Sequence, residues 1–585
     1  MIERYALCGS CFYLLVELHV INQEHEIYAL PFLRSVQANV ASVMCSYNRI
    51  NGSFACENDK VLNGIMKSEF GFAGYIMSDW AATHSTLSVN TGLDMTMPGD
   101  ITFGSGTTYF GDTLVAAVNN GSVSQTRIDD LATRILAAWY LLGQDSGYPA
   151  VNFDSWNIND PINAHKNVQG NHKDLIREIG RASTVLLKNL RKSLPLQKPK
   201  TIGVIGNGAG PSSKGPNGYG DRGGDDGVLA MGWGSGTANF PYLIDLNYYV
   251  EHQPLSAIKT RASSDGTTVS SSLSDSDLNA ARNTASGKDV AIVFITADSG
   301  EGYISVEGND GDRKDLQAWH GGDALVQAVA SVNPNTVVAV NSVGPIVMEA
   351  WINNPNGVSS SDLSSLRALT SGFSDCRGQE AGNAVTDILY GAFNPSGRLP
   401  FTIGKSINDY SAKVIYDNNV AQIPYSEGLF VDYRHFDQAN IQPRFEFGFG
   451  LSFSNFTYSG LSISGSTAGR TPTSGPGSSL DSGLHQKVVS VTFTIQNSGT
   501  VAGNEVPQLY LTFPSAAQTA PRNLKGFDSV FVAPGQSKSV TLQLSRFDFS
   551  IWNPTTQRWE IPSGQTTIAI GASSRDIRLT GTIQN

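Results

Sequence analysis

Three short apolar runs that alternate with helical patterns constrain the fold of the amino-terminal part of this chain. The runs occupy residues 40–45, 74–77 and 93–97, and the last is followed by an apolar helical stripe over residues 128–142. Buried strands that alternate with helices are typical of βα units, whose strands pair in parallel. Residues 22–145 are therefore predicted to form βα units.

The remaining residues divide into two further regions. Residues 146–172 are polar and are predicted to form a linker, and residues 173–405 alternate helices and strands again, which predicts an open, mostly parallel sheet. Residues 406–448 are a predicted connector, after which residues 449–585 contain alternating strands without helices. The fold class predicted for the 585 residues is therefore a multidomain α/β protein with a carboxyl-terminal β-sandwich.

Two details of these regions are specific enough to check. The second region is predicted to begin with a helix near residues 175–187, and its buried strands are placed at residues 201–205, 290–295 and 336–340. The third contains a run rich in Ser, Gly and Thr, residues 464–483, which is predicted to be a solvated loop.

The charge balance argues against nucleic-acid and membrane partners. Forty Lys and Arg against fifty-one Asp and Glu leave a net charge of −11, the wrong sign for a surface that attracts phosphate groups. The apolar stretch at residues 12–20 is interrupted by Glu17 and His19, and it is shorter than the ~20 residues of a membrane-spanning helix. We expect a neutral partner, no membrane span and no recognisable signal peptide.

The cysteines favour a disulfide over a metal site. Cys8 and Cys11 have no second pair to complete a four-ligand zinc site, so no metal is predicted. Cys45 and Cys56 bracket a loop that contains Gly52, and a disulfide between them would be sterically easy in an oxidising compartment. Glycosylation sequons, which point to the same compartment, occur at Asn51, Asn120 and Asn455.

Asp79 is the first candidate catalytic residue. It follows the predicted strand at residues 74–77, and the carboxyl ends of strands in barrel-like βα units are where such folds assemble active sites. The alternative is that Asp79 caps the amino terminus of the next helix. Trp80 beside it favours a binding role, because an exposed indole offers a flat apolar face to a sugar ring, although a core tryptophan fits the position too.

Glu301 is the second candidate. It stands between Gly300 and Gly302, just after the predicted strand at residues 290–295, so it can project into a cleft where partial desolvation would raise its pKa. The alternative is an ordinary solvated loop glutamate. One ionised and one protonated carboxyl group across a cleft are what a retaining glycosidase requires, at about 5–5.5 Å.

Eight motifs, in order from about residue 24 to the end, resemble those of family 3 glycoside hydrolases, and of fungal β-glucosidases in particular. They are SVMCSYN at 42–48, GYIMSDW at 74–80, GLDMTMPG at 92–99, MGWGSG at 231–236, SGEGY at 299–303, GQE at 378–380, PSGRLP at 395–400 and FEFGFGLS at 445–452. This resemblance implies an incomplete (β/α) barrel over residues 1–145, an α/β sandwich over residues 173–405 and a fibronectin-type-III-like β-sandwich over residues 449–585.

The resemblance also implies roles for individual residues. Asp79 corresponds to the family's nucleophile and Glu301 to its general acid/base, and the substrate is a small β-linked oligosaccharide or glucoside. Tyr47 would lie against the sugar at the nucleophile, whereas the cleft near the aglycone would be lined by Met44, Trp80 and Tyr303. No cofactor is expected, and secretion is expected from the family.

Two departures from the family pattern are visible. The sugar-binding residues that the family carries on earlier barrel loops have no counterpart here, so about half the barrel is expected to be missing and its helix faces to be exposed. Residues 357–377 are Ser-rich and polar where the family has an apolar strand. We interpret both departures as artefacts of the gene model.

Three competing interpretations remain. The Gly-rich stretch at residues 206–211 does not complete a dinucleotide fingerprint, because Pro211 stands where glycine is required, so an oxidoreductase is disfavoured. A remnant that binds carbohydrate without turnover, and a β-xylosidase-type exo-glycosidase, both stay open. His84, five residues after Asp79, is interpreted as a helix residue without a catalytic role.

Overall fold

The computed structural model describes most of the chain and leaves gaps in the loops. The described residues are 16–18, 23–154, 157, 159–164, 166, 168, 170–189, 194–211, 226–228, 253–297, 305–310, 313–353, 367–372, 380–412, 422–469 and 476–585. No helix within these ranges is both long enough and apolar enough to cross a membrane.

A three-stranded parallel sheet organises the amino-terminal part. The strand Tyr75–Trp80 is central and pairs with Ser42–Cys45 on one side and with Met95–Met97 on the other. The helices around it are Glu24–Tyr28 and Lys60–Glu69, which have π-helical turns, and Leu30–Gln37, Asp112–Asn119 and Gln125–Leu141. A second small sheet consists of Val16–Leu18, Arg49–Ile50, Ser53–Phe54 and Gln422–Pro424.

The described part of this region contains fewer parallel strands than the eight of a closed barrel. On the helix Gln125–Leu141 and just after it, large apolar side chains are 50–60% exposed, namely Leu136, Tyr140, Leu141 and Leu142. Exposed apolar helix faces are what we expected of an incomplete barrel.

The second region is built on a six-stranded sheet. Its strands, in spatial order, are Thr184–Lys188, Arg367–Gly372, Thr336–Ser342, Val290–Ala297, Thr201–Ile205 and Thr268–Ser272. All neighbours are parallel except the first pair, which is antiparallel. The helices His172–Ser183, Pro254–Ser263, Leu278–Ala285, Gly322–Ala330 and Ala381–Leu389 cover it. Every residue of Val290–Ala297 is buried, because helices pack on both faces of the sheet.

The third region is a β-sandwich with two main sheets. One sheet contains Phe456–Gly465, Lys487–Asn497 and Ser537–Ser545, and the other contains Asn523–Phe527, Gln508–Thr512, Gln565–Gly571 and Ile577–Gln584. Inward-facing residues alternate with outward-facing ones, as along Lys487–Asn497, and they fill a common apolar core. Two short antiparallel pairs add Gly503–Glu505 with Val530–Val532, and Ile551–Asn553 with Arg558–Glu560. The predicted fold class is confirmed, whereas the domain boundaries stay predictions.

Two details of the prediction were wrong. The helix predicted at residues 175–187 ends at Ser183, and Thr184–Lys188 is a buried edge strand. The predicted solvated loop at residues 464–483 contains Ser478 and Ser479, which are fully buried. These hydroxyls are satisfied by the Trp559 main-chain N–H, at 3.2 Å from Ser478 Oγ, and by the Trp559 indole N–H, at 2.9 Å from Ser479 Oγ. A polar composition was therefore compatible with burial, because both hydroxyls have a hydrogen-bond partner.

A buried carboxylate joins the second region to the sandwich. Glu505 accepts hydrogen bonds from Arg398 Nη2 and from the Tyr458 hydroxyl, both at 2.8 Å, and its side chain is only 3% exposed. Arg578 lies farther away, with its Nη1 3.7 Å from the same carboxylate.

We predict that Arg398→Ala lowers the free energy of unfolding by about 3–5 kcal/mol, because it leaves the buried Glu505 carboxylate without its main cation. Urea denaturation measures the effect. Arg578→Ala is the matched control, since it removes a more distant and more exposed partner of the same carboxylate. Equal losses in the two variants would contradict this account of the interface.

Candidate active site

Asp79 lies at the carboxyl end of the central strand of the amino-terminal sheet. Along this strand Ile76 and Ser78 point into the core, so Asp79 falls on the opposite, half-exposed face. Its Oδ1 accepts a hydrogen bond from the Trp80 main-chain N–H at 2.6 Å, and its Oδ2 accepts none from the described residues. One carboxylate oxygen is therefore without a hydrogen-bond donor among the described residues.

The alternative role of Asp79 as a helix cap is wrong. No helix begins after the strand, and the next helical turn, Thr86–Val89, is preceded by Ser85. His84 lies in the intervening loop and not in a helix, so that prediction was also wrong. Its ring stacks on Phe54 at 3.6 Å, and burial lowers its pKa. His84 therefore packs against an aromatic side chain.

Three of the predicted substrate-binding residues lie at the same edge of the sheet as Asp79. Met44 pairs in register with Met77 and is 54% exposed, and Trp80 is 48% exposed at the end of the central strand. Tyr47 is half-buried two residues after the strand Ser42–Cys45. Because the strands are parallel, their carboxyl ends meet at one edge of the sheet, and these side chains lie at that edge with Asp79.

Phe103 extends this surface and was not predicted. Its ring is 71% exposed and lies 6.3 Å from the ring of Trp80, at an interplanar angle of 39°. The sequence feature that could have indicated Phe103 is an aromatic residue in the Gly-rich loop that follows the strand Met95–Met97. Two exposed aromatic rings beside a carboxylate can bind the apolar faces of a sugar.

A buried carboxylate, Asp94, holds the strand that bears Asp79. Its Oδ2 accepts a hydrogen bond from the Ile76 main-chain N–H at 2.8 Å, and its Oδ1 pairs with Lys67 Nζ at 2.8 Å and with Arg127 Nη2. Burial lowers the pKa of Lys67 to about 8, although Asp94 opposes that shift. The sequence analysis included Asp94 in the motif at residues 92–99 without predicting a role for it. The structure shows that Asp94 connects the strand Tyr75–Trp80 to two helices.

The disulfide between Cys45 and Cys56 is formed in the structure, with the Cα atoms 5.3 Å apart. It closes the loop that follows the strand Ser42–Cys45, and within that loop the Arg49 guanidinium lies 4.2 Å from the centre of the Phe54 ring. The sequon asparagines Asn51, Asn120 and Asn455 are all exposed, so each is accessible to modification.

Glu301 and Tyr303 lie outside the described residues, as do most of residues 357–377. The strand that leads to Glu301 is described to Ala297, at the carboxyl edge of the six-stranded sheet. The Gly206 turn lies at this edge too. Gly206 has φ +103°, and a Cβ there would collide with the Phe294 carbonyl oxygen, so this glycine serves close packing. Within residues 207–211, the described stretch that follows it directly, the chain forms the short turn Asn207–Ala209 and no helix begins, which disfavours the dinucleotide-binding alternative.

Asp275 also lies at this sheet edge. Its two carboxylate oxygens accept hydrogen bonds from the main-chain N–H and the side-chain amide of Asn207, at 2.7 and 2.6 Å. Burial nevertheless raises its pKa to about 6. Within the described ranges, no three His, Cys, Asp or Glu side chains cluster closely enough to hold a metal ion.

Family profiles match three segments of the chain. The profile described as the glycosyl hydrolase family 3 N-terminal domain matches residues 18–138, and that of the family 3 C-terminal domain matches residues 184–433. A fibronectin type III-like domain matches residues 505–574. The segments follow the order of the three structural regions.

Curated relatives and solved structures agree with these profiles. A protein of Aspergillus terreus named probable beta-glucosidase L is 50% identical over 95% of this chain and 73% of its own length. Beta-glucosidase cel3A of Pyricularia oryzae is 48% identical over 95% of this chain and 72% of its own length. The crystal structure of a β-glucosidase from Chaetomella raphigera has a TM-score of 0.89 at 46% identity, covering 97% of this chain and 76% of that one. The crystal structure of a β-D-glucoside glucohydrolase from Trichoderma reesei has a TM-score of 0.87 at 47% identity, covering 98% of this chain and 76% of that one.

We predict that Asp94→Asn lowers the free energy of unfolding by about 3–5 kcal/mol, because it leaves two poorly exposed cations without their shared anion. Thermal or urea unfolding measures this loss. Asp130→Asn is the control, since Asp130 contacts Arg127 and Arg134 but is 42% exposed, and there we expect at most about 1 kcal/mol. Similar effects of the two substitutions would contradict the anchoring role.

We predict that the stability difference between the natural chain and Asp275→Asn changes between pH 4 and pH 6. Folding raises the pKa of Asp275 from 3.8 to about 6, so the folded state binds more protons than the unfolded state in this interval. The contribution of Asp275 to stability therefore falls as the pH rises, by up to about 3 kcal/mol. Urea unfolding at several pH values measures it, and parallel pH curves for both proteins would show that Asp275 does not titrate in this way.

Proposed function

Because this chain belongs to glycosyl hydrolase family 3, we propose that it removes terminal β-D-glucosyl residues from the non-reducing ends of cellobiose and related β-glucosides. It is a glycoside hydrolase whose relatives, at about half the residues identical, carry the name β-glucosidase. The observation that carries the proposal is Asp79, half-exposed at the carboxyl end of a parallel strand, with one carboxylate oxygen that has no hydrogen-bond donor among the described residues.

Asp79 is the proposed nucleophile and Glu301 the proposed acid/base. A carboxylate oxygen of Asp79 attacks the anomeric carbon and forms an ester bond, while the bond to the aglycone oxygen breaks and that oxygen takes the proton of Glu301. Glu301 then removes a proton from a water molecule, which attacks the same carbon and releases Asp79. Two displacements at one carbon retain the β configuration. The two carboxylates and one water molecule supply every proton and electron pair, so the proposed reaction uses no metal ion or cofactor.

The aromatic and apolar side chains around Asp79 support a sugar substrate. In this proposal Tyr47 contacts the glucosyl unit, and Met44, Trp80 and Tyr303 line the aglycone side. The exposure of Met44 and Trp80 supports this assignment, since both are about half accessible next to the nucleophile. The named β-glucosidase relatives favour glucose over xylose as the cleaved unit.

A second candidate function is carbohydrate binding without turnover. It is favoured by the exposed apolar face of the helix Gln125–Leu141 and by a parallel sheet with three described strands. In a barrel, sugar-binding side chains from further strands help to stabilise the transition state, so a site with fewer strands binds sugar with less catalysis.

We also propose that the protein acts outside the cell. The disulfide between Cys45 and Cys56 supports this proposal, because such bonds persist in oxidising compartments. The exposure of the three sequon asparagines supports it too.

We predict that Asp79→Asn and Glu301→Gln each lower kcat on cellobiose by about 10²–10⁴-fold, because each removes a group that acts on the reacting atoms. Glucose release by the full chain and by both variants measures this. The leaving group of a dinitrophenyl β-glucoside needs no proton. On this substrate the rate of the first step should fall much less in Glu301→Gln, whereas in Asp79→Asn it should fall as much as it does on cellobiose.

The matched control is Asp112→Asn, an exposed carboxylate in the first turn of the helix Asp112–Asn119, and it should keep full activity. Equal rates for the natural chain, Asp79→Asn and Glu301→Gln would remove both assignments. Binding of cellobiose by the natural chain without any glucose release would favour the second candidate function.

A further inference from the structure

A cavity of about 400 Å³ lies between the amino-terminal helices and the β-sandwich, and Asp79 is not among the residues that line it. One wall comes from Glu24–Tyr28 and Leu30–Gln37, the opposite wall from the strand Asn523–Phe527, and the floor from the turn at Phe547 and Asp548. At about 30 Å³ per water molecule, this volume corresponds to about a dozen waters. It falls within the range of sites that bind small organic molecules.

Three cationic side chains from different parts of the chain line this cavity. They are Arg34 on the amino-terminal helix, Arg434 on the helix Tyr433–Gln438 and Lys525 on the sandwich strand. Among the described residues, no carboxylate lies within ion-pair distance of any of the three. Folding has therefore brought three positive charges to one cavity, where they outnumber the two carboxylates of its lining, Glu26 and Asp548.

The existing contacts of these cations use little of their hydrogen-bonding capacity. Arg34 donates one bond to Gln37 Oε1 at 2.8 Å and stacks on Phe547, and Arg434 donates one long bond to Asn523 Oδ1 at 3.4 Å. Lys525 makes no hydrogen bond within the described residues, and its Nζ lies 5.9 Å from the ring of Phe513. Most of their N–H groups are available to a ligand.

The two carboxylates of the cavity form their hydrogen bonds and close ion pairs with groups other than these three cations. Asp548 already accepts bonds from the main-chain N–H and the hydroxyl of Ser545, at 2.6 and 2.8 Å, and pairs with Lys487 at 3.4 Å. Glu26 accepts a bond from the Trp552 main-chain N–H at 3.0 Å, and burial raises its pKa. Burial lowers the pKa of Lys525, whereas the charges of Asp548 and Glu26 oppose that shift and those of Arg434 and Arg34 add to it.

We propose that this cavity binds an organic anion of monosaccharide size, whose carboxylate or phosphate group pairs with Lys525, Arg34 and Arg434. The volume exceeds that of a simple oxyanion, and Ile27, Leu30 and Phe547 provide apolar walls for a ring. Because the three cations come from separate regions, the bound anion links the amino-terminal helices to the sandwich. This site is separate from the proposed hydrolytic site and does not depend on it.

Thermal unfolding and calorimetry of the full chain test the proposal, with D-glucuronate and D-glucose 6-phosphate as probes. Potassium chloride at equal ionic strength and neutral D-glucose are the comparison solutes. We expect both anions to raise Tm more than the comparison solutes do, because they bind the folded state alone. Inorganic phosphate, tested in parallel, should raise Tm less, and an equal effect would overturn the assignment of an organic ligand.

The variant Lys525→Met should bind both probes about 10–100-fold more weakly, since it loses a charge-assisted contact. Without probes its Tm should equal or exceed that of the natural chain, because the variant removes an ammonium group that is desolvated and forms no close ion pair among the described residues. Lys538→Met, on an exposed part of the strand Ser537–Ser545, is the matched control and should bind normally. Arg34→Gln, on an exposed helix position, repeats the test from the opposite wall and should also weaken binding. No response of the natural chain to either anion, or unchanged binding in both cavity variants, would overturn the proposal.

Discussion

The buried carboxylate of Asp94 is the interaction on which the candidate active site depends. It accepts a hydrogen bond from the main chain of the strand Tyr75–Trp80 and pairs with cations on two different helices. Three elements that are distant in sequence are thereby fixed around the strand that ends at Asp79. Because the region has few parallel strands among its described residues and exposed helix faces, this charged anchor and the nearby disulfide carry much of the constraint that a closed barrel would otherwise supply.

The sandwich contributes to the same constraint from the other side. His25 stacks on Trp552 with ring centres 3.6 Å apart, and its Nε2 lies 3.1 Å from the buried Glu69 carboxylate. Glu69 also accepts a hydrogen bond from Ser479. The carboxyl-terminal region is therefore part of the structure that supports the amino-terminal sheet, and the cation-lined cavity lies beside this contact.

The periodic features of the sequence predicted the fold well. Parallel strands, their polar carboxyl ends and the change to a β-sandwich follow from patterns that burial itself imposes. The edge strand Thr184–Lys188 was mistaken for helix because short apolar runs fit either structure. Ser478 and Ser479 were placed in solvent because composition says nothing about partners, and their partners Glu69 and Trp559 are distant in the chain. The cavity cations escaped prediction for the same reason, since no local pattern brings Arg34 and Lys525 together.

The most direct test of the central claim is to identify the residue that carries the glycosyl intermediate. A 2-fluoro-β-glucoside with an activated leaving group forms this intermediate faster than the intermediate is hydrolysed, so the full chain can be digested and its labelled peptide sequenced by mass spectrometry. We predict one added fluoroglucosyl group per chain, on Asp79, and none in Asp79→Asn. A label on another carboxylate, or turnover of this reagent without labelling, would contradict the account.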